Sequence, residues 1–192
     1  LDGGAGADTL RGGEGGDQYE IDDVGDVVLE SGATGIDAIF SSINFDLAST
    51  PEVENLSLRG GAGLSARGND RVNVITGNAG DNLLTAVMGD SLVGGAGRDT
   101  LQGSWATDFL DGGSGADRMV GDFGFDIYVV DDVGDIVVEV PVSNSDRYDL
   151  VRSWISYTLP VYVEWLELQG NAALDGTGTE AGNEMLTGNA GN

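Results

Sequence analysis

The 192-residue chain has no cysteine, no histidine and no lysine, and only three prolines. Each absence removes a chemistry. Without cysteine there is no thiol redox role. Without histidine, cysteine and lysine there is no Ser-His, Cys-His or Ser-Lys nucleophile and no Schiff-base lysine. A structural zinc site has lost both of its preferred ligand types. Positive charge is nearly missing as well: eight arginines face 33 acidic residues, for a formal net charge of -25. So acidic a chain does not neutralise a nucleic-acid backbone, and an anionic membrane surface repels it. No apolar run approaches the ~20 residues of a membrane-spanning helix. Residues 1–25 show no basic stretch followed by an apolar one, so no N-terminal signal peptide is expected in them. What the sequence holds in quantity is carboxylates, hydroxyls and backbone oxygens, the ligands of hard cations.

Glycine supplies 33 residues. A chain rich in Gly and Asp is often a disordered acidic linker. Against that, 40% of the residues are apolar, and a disordered segment needs no register. This one has a register of nine. Residues 3–11 run Gly3-Gly4-Ala5-Gly6-Ala7-Asp8-Thr9-Leu10-Arg11, and residues 12–20 repeat the frame with Gly12, Gly13, Gly15, Asp17 and Tyr19. Glycine falls at positions 1, 2 and 4, Asp at 6 and a large apolar residue at 8. The frame returns at Gly94 (Asp99, Leu101), Gly112 (Asp117, Met119) and Gly121 (Asp126, Tyr128). Weaker copies carry Asp26, Asp37, Asp90, Asp108, Asp135 and Asp149 at position 6, and two carry Asn73 and Asn82 there.

A longer period lies over the short one. Ile21 to Asp26 recurs as Val130 to Asp135, 109 residues on. Val53-Glu54-Asn55-Leu56 recurs as Val163-Glu164-Trp165-Leu166 after 110, and Thr76 to Gly80 as Thr187 to Gly191 after 111. The organisation read from this is a glycine block at 1–40, a glycine-poor β insert at 41–67, and a second block at 68–152. A second insert follows at 153–177, and residues 178–192 begin a third block. The array reads as a fragment of a longer one.

The repeat has a physical reading. Positions 1 to 6 form a turn, for which positive φ and close backbone approach are expected and which glycine tolerates. Positions 7 to 9 form a short strand with only position 8 turned inward. Two repeats then make one coil of an all-β solenoid with parallel strand pairing, a right-handed β-roll. Alternate turns stack about 4.8 Å apart. Stacked acidic turns repel by about 1–4 kcal/mol per charge pair, and a cation between turns reverses that sign. Ca²⁺ accepts six to eight oxygens in irregular geometry, whereas Mg²⁺ demands a tighter octahedron. The expected pairs are Asp8 with Asp26, Asp17 with Asp37, Asp90 with Asp108 and Asp99 with Asp117. Asp108 with Asp126, Asp117 with Asp135 and Asp126 with Asp149 complete them. Sites holding Asn73 or Asn82 are expected to be weak.

On Gly3 to Glu20 and Gly94 to Val129 the chain resembles the RTX, or hemolysin-type, calcium-binding repeat family, whose nonapeptide binds Ca²⁺ in a parallel β-roll. The resemblance implies a module unfolded in calcium-poor cytosol and folded outside the cell after type I secretion. It implies calcium ligands among the turn residues Gly4, Gly6, Asp8, Gly13, Gly15, Asp17, Asp26, Asp37, Asp90, Gly95, Gly97, Asp99, Asp108, Gly113, Gly115, Asp117, Asp122, Gly124, Asp126, Asp135 and Asp149.

Little else points to chemistry. Glu52 with Glu54 and Glu164 with Glu167 are paired carboxylates outside the repeats, read as solvated strand faces rather than a glycosidase pair. No Gly-x-Gly-x-x-Gly is completed after Gly95-Ala96-Gly97. Asn55-Leu56-Ser57 matches a glycosylation sequon, a pattern with many chance matches. Alternation places Ile39, Ile43, Phe45 and Leu47 inward, and likewise Val151, Ile155, Tyr157 and Leu159 in the second copy. Trp154, Tyr162 and Trp165 then fall in an outward register near Arg152, a candidate surface for a polysaccharide or a protein, and Trp105 sits at an exposed turn position. The expected function is a non-catalytic calcium-binding module of a larger secreted bacterial protein, partnered by calcium and by flanking domains of its own polypeptide. The rival readings are an adhesive or polysaccharide-binding module, and an appendage of a protease, lipase or alginate epimerase whose catalytic domain lies outside these residues.

Overall fold

A computed structural model describes residues 1–31, 34–141, 148–179 and 185–191. Short strands alternate between two parallel sheets that face each other, as the two-repeats-per-coil reading requires. The long sheet has ten strands: Gln18–Ile21, Ala38–Ser41, Asn55–Leu58, Val74–Thr76, Ser91–Ala96, Phe109–Ser114, Ile127–Val130, Leu150–Ser153, Trp165–Leu168 and Met185–Thr187. The facing sheet is broken into three. Thr9–Arg11 pairs with Val27–Leu29, and Tyr157–Thr158 pairs with Gly176–Thr177. Between them lie the six strands Phe45–Asp46, Ser65–Arg67, Leu83–Thr85, Thr100–Gln102, Arg118–Asp122 and Ile136–Glu139. The architecture is an all-β solenoid.

Register follows the repeat. Ser91 pairs with Phe109 and Phe109 with Ile127, a step of two nonapeptides per coil. The middle residue of each strand points inward because neighbouring side chains alternate in direction. Down the long sheet these form one column, Tyr19, Ile39, Leu56, Ile75, Leu92, Leu110, Tyr128, Val151 and Leu166, all with no exposed surface. Ala66, Leu84, Leu101, Met119 and Val137 form the column opposite. Each fully buried large side chain contributes about 1.5–3 kcal/mol, so the core is a line of equal increments rather than one centre.

The glycine-poor stretches run within this stack. Asn55–Leu58 pairs with Ala38–Ser41 on one side and Val74–Thr76 on the other. Leu47 and Leu159 are buried, and Ile43, Phe45, Ile155 and Tyr157 pack half-buried against the core. Ser41 and Ser153 are buried on the same inner side, each donating its hydroxyl to a carbonyl two residues on, Ile43 and Ile155. Asp46 caps a 3-10 turn at Leu47–Ser49 by accepting the Ala48 N–H. Coil length varies here, since Leu150 pairs with Trp165, and such coils escape the nine-residue frame. Among the described residues no helix is long and apolar enough to cross a membrane. The third block, 178–192, and the unit at 144–152 fall partly outside the described residues.

Candidate metal centre

Two edges connect the sheets. One carries the turns that lead into the broken sheet, including Gly3–Asp8, Gly77–Asn82, Gly94–Asp99, Gly112–Asp117 and the turn ending at Asp135. The other carries those that lead into the long sheet, ending at Asp17, Asp37, Glu54, Asn73, Asp90, Asp108, Asp126, Asp149 and Glu164. Every expected carboxylate pair lies on one edge, on adjacent coils, joined by a hydrogen bond. The Asp90 N–H donates to Asp108 Oδ1 at 2.7 Å, Asp108 to Asp126 at 2.8 Å and Asp126 to Asp149 at 2.8 Å. On the other edge Asp99 donates to Asp117 at 2.7 Å and Asp117 to Asp135 at 3.1 Å. Asp8 donates to Asp26 at 3.0 Å and Asp17 to Asp37 at 2.7 Å. The position-6 aspartate is therefore the rung of a ladder as well as a charge, a role that spacing alone does not announce.

The glycine requirement is narrower than positive φ throughout the turn. Only the second and fourth positions are left-handed, for example Gly113 at φ 78° and Gly115 at 139°. The pattern holds at Gly4, Gly6, Gly13, Gly15, Gly95 and Gly97, and at Gly124 in fourth position. Asp122 takes the second position of its turn at φ 72°, a conformation Asp tolerates better than most residues. The first glycine is needed for a different reason: a Cβ on Gly94 or Gly112 would overlap the carboxylate of Asp99 or Asp117 in its own turn.

That packing buries the acids. Asp90, Asp99, Asp108, Asp117 and Asp126 are at most 2% exposed. With Oδ1 bonded to the coil below, Oδ2 of Asp99, Asp117 and Asp126 has no partner. A buried unpaired carboxylate oxygen costs several kcal/mol. Burial pushes Asp90, Asp99 and Asp117 up to about 6. Burial, with Glu139 and Asp149 alongside, pushes Asp126 up to about 9. The donor set is oxygen only, from anionic carboxylates beside turn carbonyls, which fits Ca²⁺. Asp8, Asp17 and Asp26 are more exposed and stand near one end of the stack.

The asparagine turns differ in kind. Asn78 Nδ2 donates to the carbonyls of Arg59 and Ala62 one coil away, both at 3.0 Å. Asn69 Nδ2 does the same to Thr50 and Val53, and Asn189 to Gln169 and Ala172. An amide here takes the place that a cation would hold among turn carbonyls. The reading of Glu54 and Glu164 as solvated strand face needs correction. Glu54 accepts the Asp37 N–H at 2.9 Å and Glu164 accepts that of Asp149 at 3.1 Å. Each takes the place of the position-6 aspartate in an irregular coil, and the 110-residue period that repeats both was the signal available.

Trp154 and Trp165 are not brought together. Leu150 pairs with Trp165 and Ser153 with Leu168, so Trp154 stands four residues along the sheet from Trp165, about 13 Å away. Trp154 packs over Gly170 at the other edge. Trp165 instead stacks on Tyr148 at 5.4 Å and meets the edge of Phe125 at 6.0 Å. Tyr162 is half exposed, with φ 72°.

The RTX calcium-binding nonapeptide repeat matches this chain in four copies, over residues 1–19, 67–86 and 88–119. No curated protein and no solved structure matches it. The matched residues include the turns that end in Asp8, Asp99 and Asp117, whose geometry is described above.

Proposed function

We propose that the chain, four stretches of which match the RTX calcium-binding repeat, is a calcium-binding β-roll that serves a larger secreted protein as a segment that folds when calcium is met outside the cell. The observation that carries this is the column of buried aspartates, each with one oxygen bonded to the next coil and several with the other oxygen unpartnered. In calcium-poor surroundings the column stacks uncompensated charge and opposes folding. With calcium each added ion closes one coil on the next, so binding and folding form a single equilibrium. The role is structural: to hold and space the domains on either side of the stack. Limited trypsin digestion tests it, because Arg98 and Arg118 lie at the heart of the ladder. Resistance at both in calcium and rapid cleavage at both in EGTA is the expected result. Equal cleavage in the two conditions would contradict the proposal.

The polysaccharide reading keeps one supporting observation, the stacked Tyr148 and Trp165 on the outer face of the long sheet. Quenching of tryptophan fluorescence by oligosaccharides at fixed calcium is its test, and no quenching at any concentration would remove it.

A further inference from the structure

A second arrangement of acids lies inside the solenoid and occurs twice. Asp17, Glu30 and Asp37 bring carboxylate oxygens within 4.8 Å of one another, and so do Asp126, Glu139 and Asp149. Tyr19 and Tyr128 belong to the same places, 109 residues apart, as do Glu30 and Glu139. Glu139 ends a strand of the broken sheet and Glu30 directly follows one, where the next coil has lost its first turn glycine: Asp122 pairs with Glu139 and Arg11 with Leu29 beside Glu30. The glutamate side chain fills the space left by the glycine of the coil below. A Cβ on Gly121 would meet Tyr128 Oη, Asp126 Oδ2 and Glu139 Oε1 together, and one on Gly12 would meet Tyr19 Oη, Glu30 Oε1 and Asp17 Oδ2.

The polar atoms converge without satisfying one another. Asp126 and Tyr19 have no exposed surface, and Asp126 Oδ2, Tyr19 Oη and Glu30 Oε1 have no hydrogen-bond partner. Tyr128 donates its hydroxyl to Glu139. Among the described residues no ion pair reaches Asp126 or Glu139. We propose that Asp126, Glu139 and Asp149, and in the first copy Asp17, Glu30 and Asp37, each hold one calcium ion inside the solenoid through side-chain carboxylates from two adjacent coils, with the Tyr128 hydroxyl orienting Glu139. This rests on the calcium reading above and adds to it two ligands, Glu30 and Glu139, that lie outside the nonapeptide turn. Three carboxylates around one dication leave a single net negative charge, a far smaller burial cost than three free anions. The sites sit where regular coils give way to the glycine-poor stretches, so they clamp those junctions.

Calorimetric calcium titration of the full chain tests this, with circular dichroism at saturating calcium as the check on folding. Glu139→Gln is expected to bind one ion fewer than the unaltered chain, Glu30→Gln one fewer, and the double variant two fewer. Tyr128→Phe is expected to keep the ion count and weaken one site about tenfold, as loss of an orienting hydrogen bond does. Should Glu139→Gln fail to fold, Glu30→Gln near the end of the stack reads the same count. An unchanged count and affinity in both glutamine variants would overturn the proposal and leave the glutamates as protonated partners of the tyrosines. An unaltered chain that binds no calcium would instead overturn the calcium reading itself.

Discussion

Between Asp90 and Asp149 neighbouring coils meet through carboxylates, and between Arg59 and Asn82 they meet through amides. The geometry of stacking is the same in both regions, and so is the need: turn carbonyls crowd together at each edge and want a positive partner. Asn78 brings that partner covalently, since its Nδ2 sits between the carbonyls of Arg59 and Ala62. The aspartate turns bring the opposite charge and leave Oδ2 of Asp99, Asp117 and Asp126 unpaired. One region is therefore complete in itself, and the other is complete only with an ion.

The difference should be widest when pH is varied. Carboxylates whose folded value is raised above the unfolded one hold protons that the unfolded chain has released, so metal-free stability is highest near pH 4 and falls as pH rises. Asp90, Asp99 and Asp117 at about 6, Glu139 at about 7 and Asp126 at about 9 set the window from about 4 to about 9. Far-UV circular dichroism in EGTA should show more β structure near pH 5 than near pH 8. In saturating calcium the order should reverse, because the ion needs the deprotonated form.

Single substitutions sharpen the contrast. Asp117→Ala removes the acceptor of the Asp99 N–H and one charge of the column, and should cost about 3–5 kcal/mol in calcium, the scale of breaking a buried pair. Its cost should shrink as calcium is withdrawn, read from denaturation midpoints at several free calcium levels. Two glycines come next. Gly115 has φ 139° and a Cβ there would overlap the Gly97 carbonyl, whereas Gly60 has φ 82° and open space around it. Gly115→Ala should cost more than about 3 kcal/mol, and Gly60→Ala only the backbone strain of about 1–2 kcal/mol. The smallest effect belongs to the amide junction. Asn78→Ala, which strands two carbonyls, should cost about 1–2 kcal/mol, and the same amount at every calcium level that keeps the chain folded.

The aspartate column was legible because a strict nine-residue spacing forces position 6 of alternate turns onto one edge, and Asp90 to Asp135 follow from counting. The hydrogen-bonded rungs were not, since spacing fixes which residues stack but not which oxygen a backbone N–H selects. Glu54 and Glu164 were hidden by coil length: once a coil departs from two nonapeptides, position 6 can no longer be counted from its neighbour. The asparagine closures were hidden by position, because Asn69 and Asn78 stand second in their turns, where the frame has glycine, and not at position 6 with Asn73 and Asn82. The aromatic cluster failed on register. Alternation told that Trp154 and Trp165 face outward, and only strand pairing told that they face outward at opposite edges.

Far-UV circular dichroism during a calcium titration of EGTA-stripped protein, with magnesium as the control, tests the central claim most directly. The account predicts a cooperative change from coil to β at about 10⁻⁴ to 10⁻³ M calcium, the range of extracellular calcium modules, and no such change with magnesium. A β spectrum that EGTA leaves untouched would contradict it, since the aspartate column would then be stable as bare stacked charge.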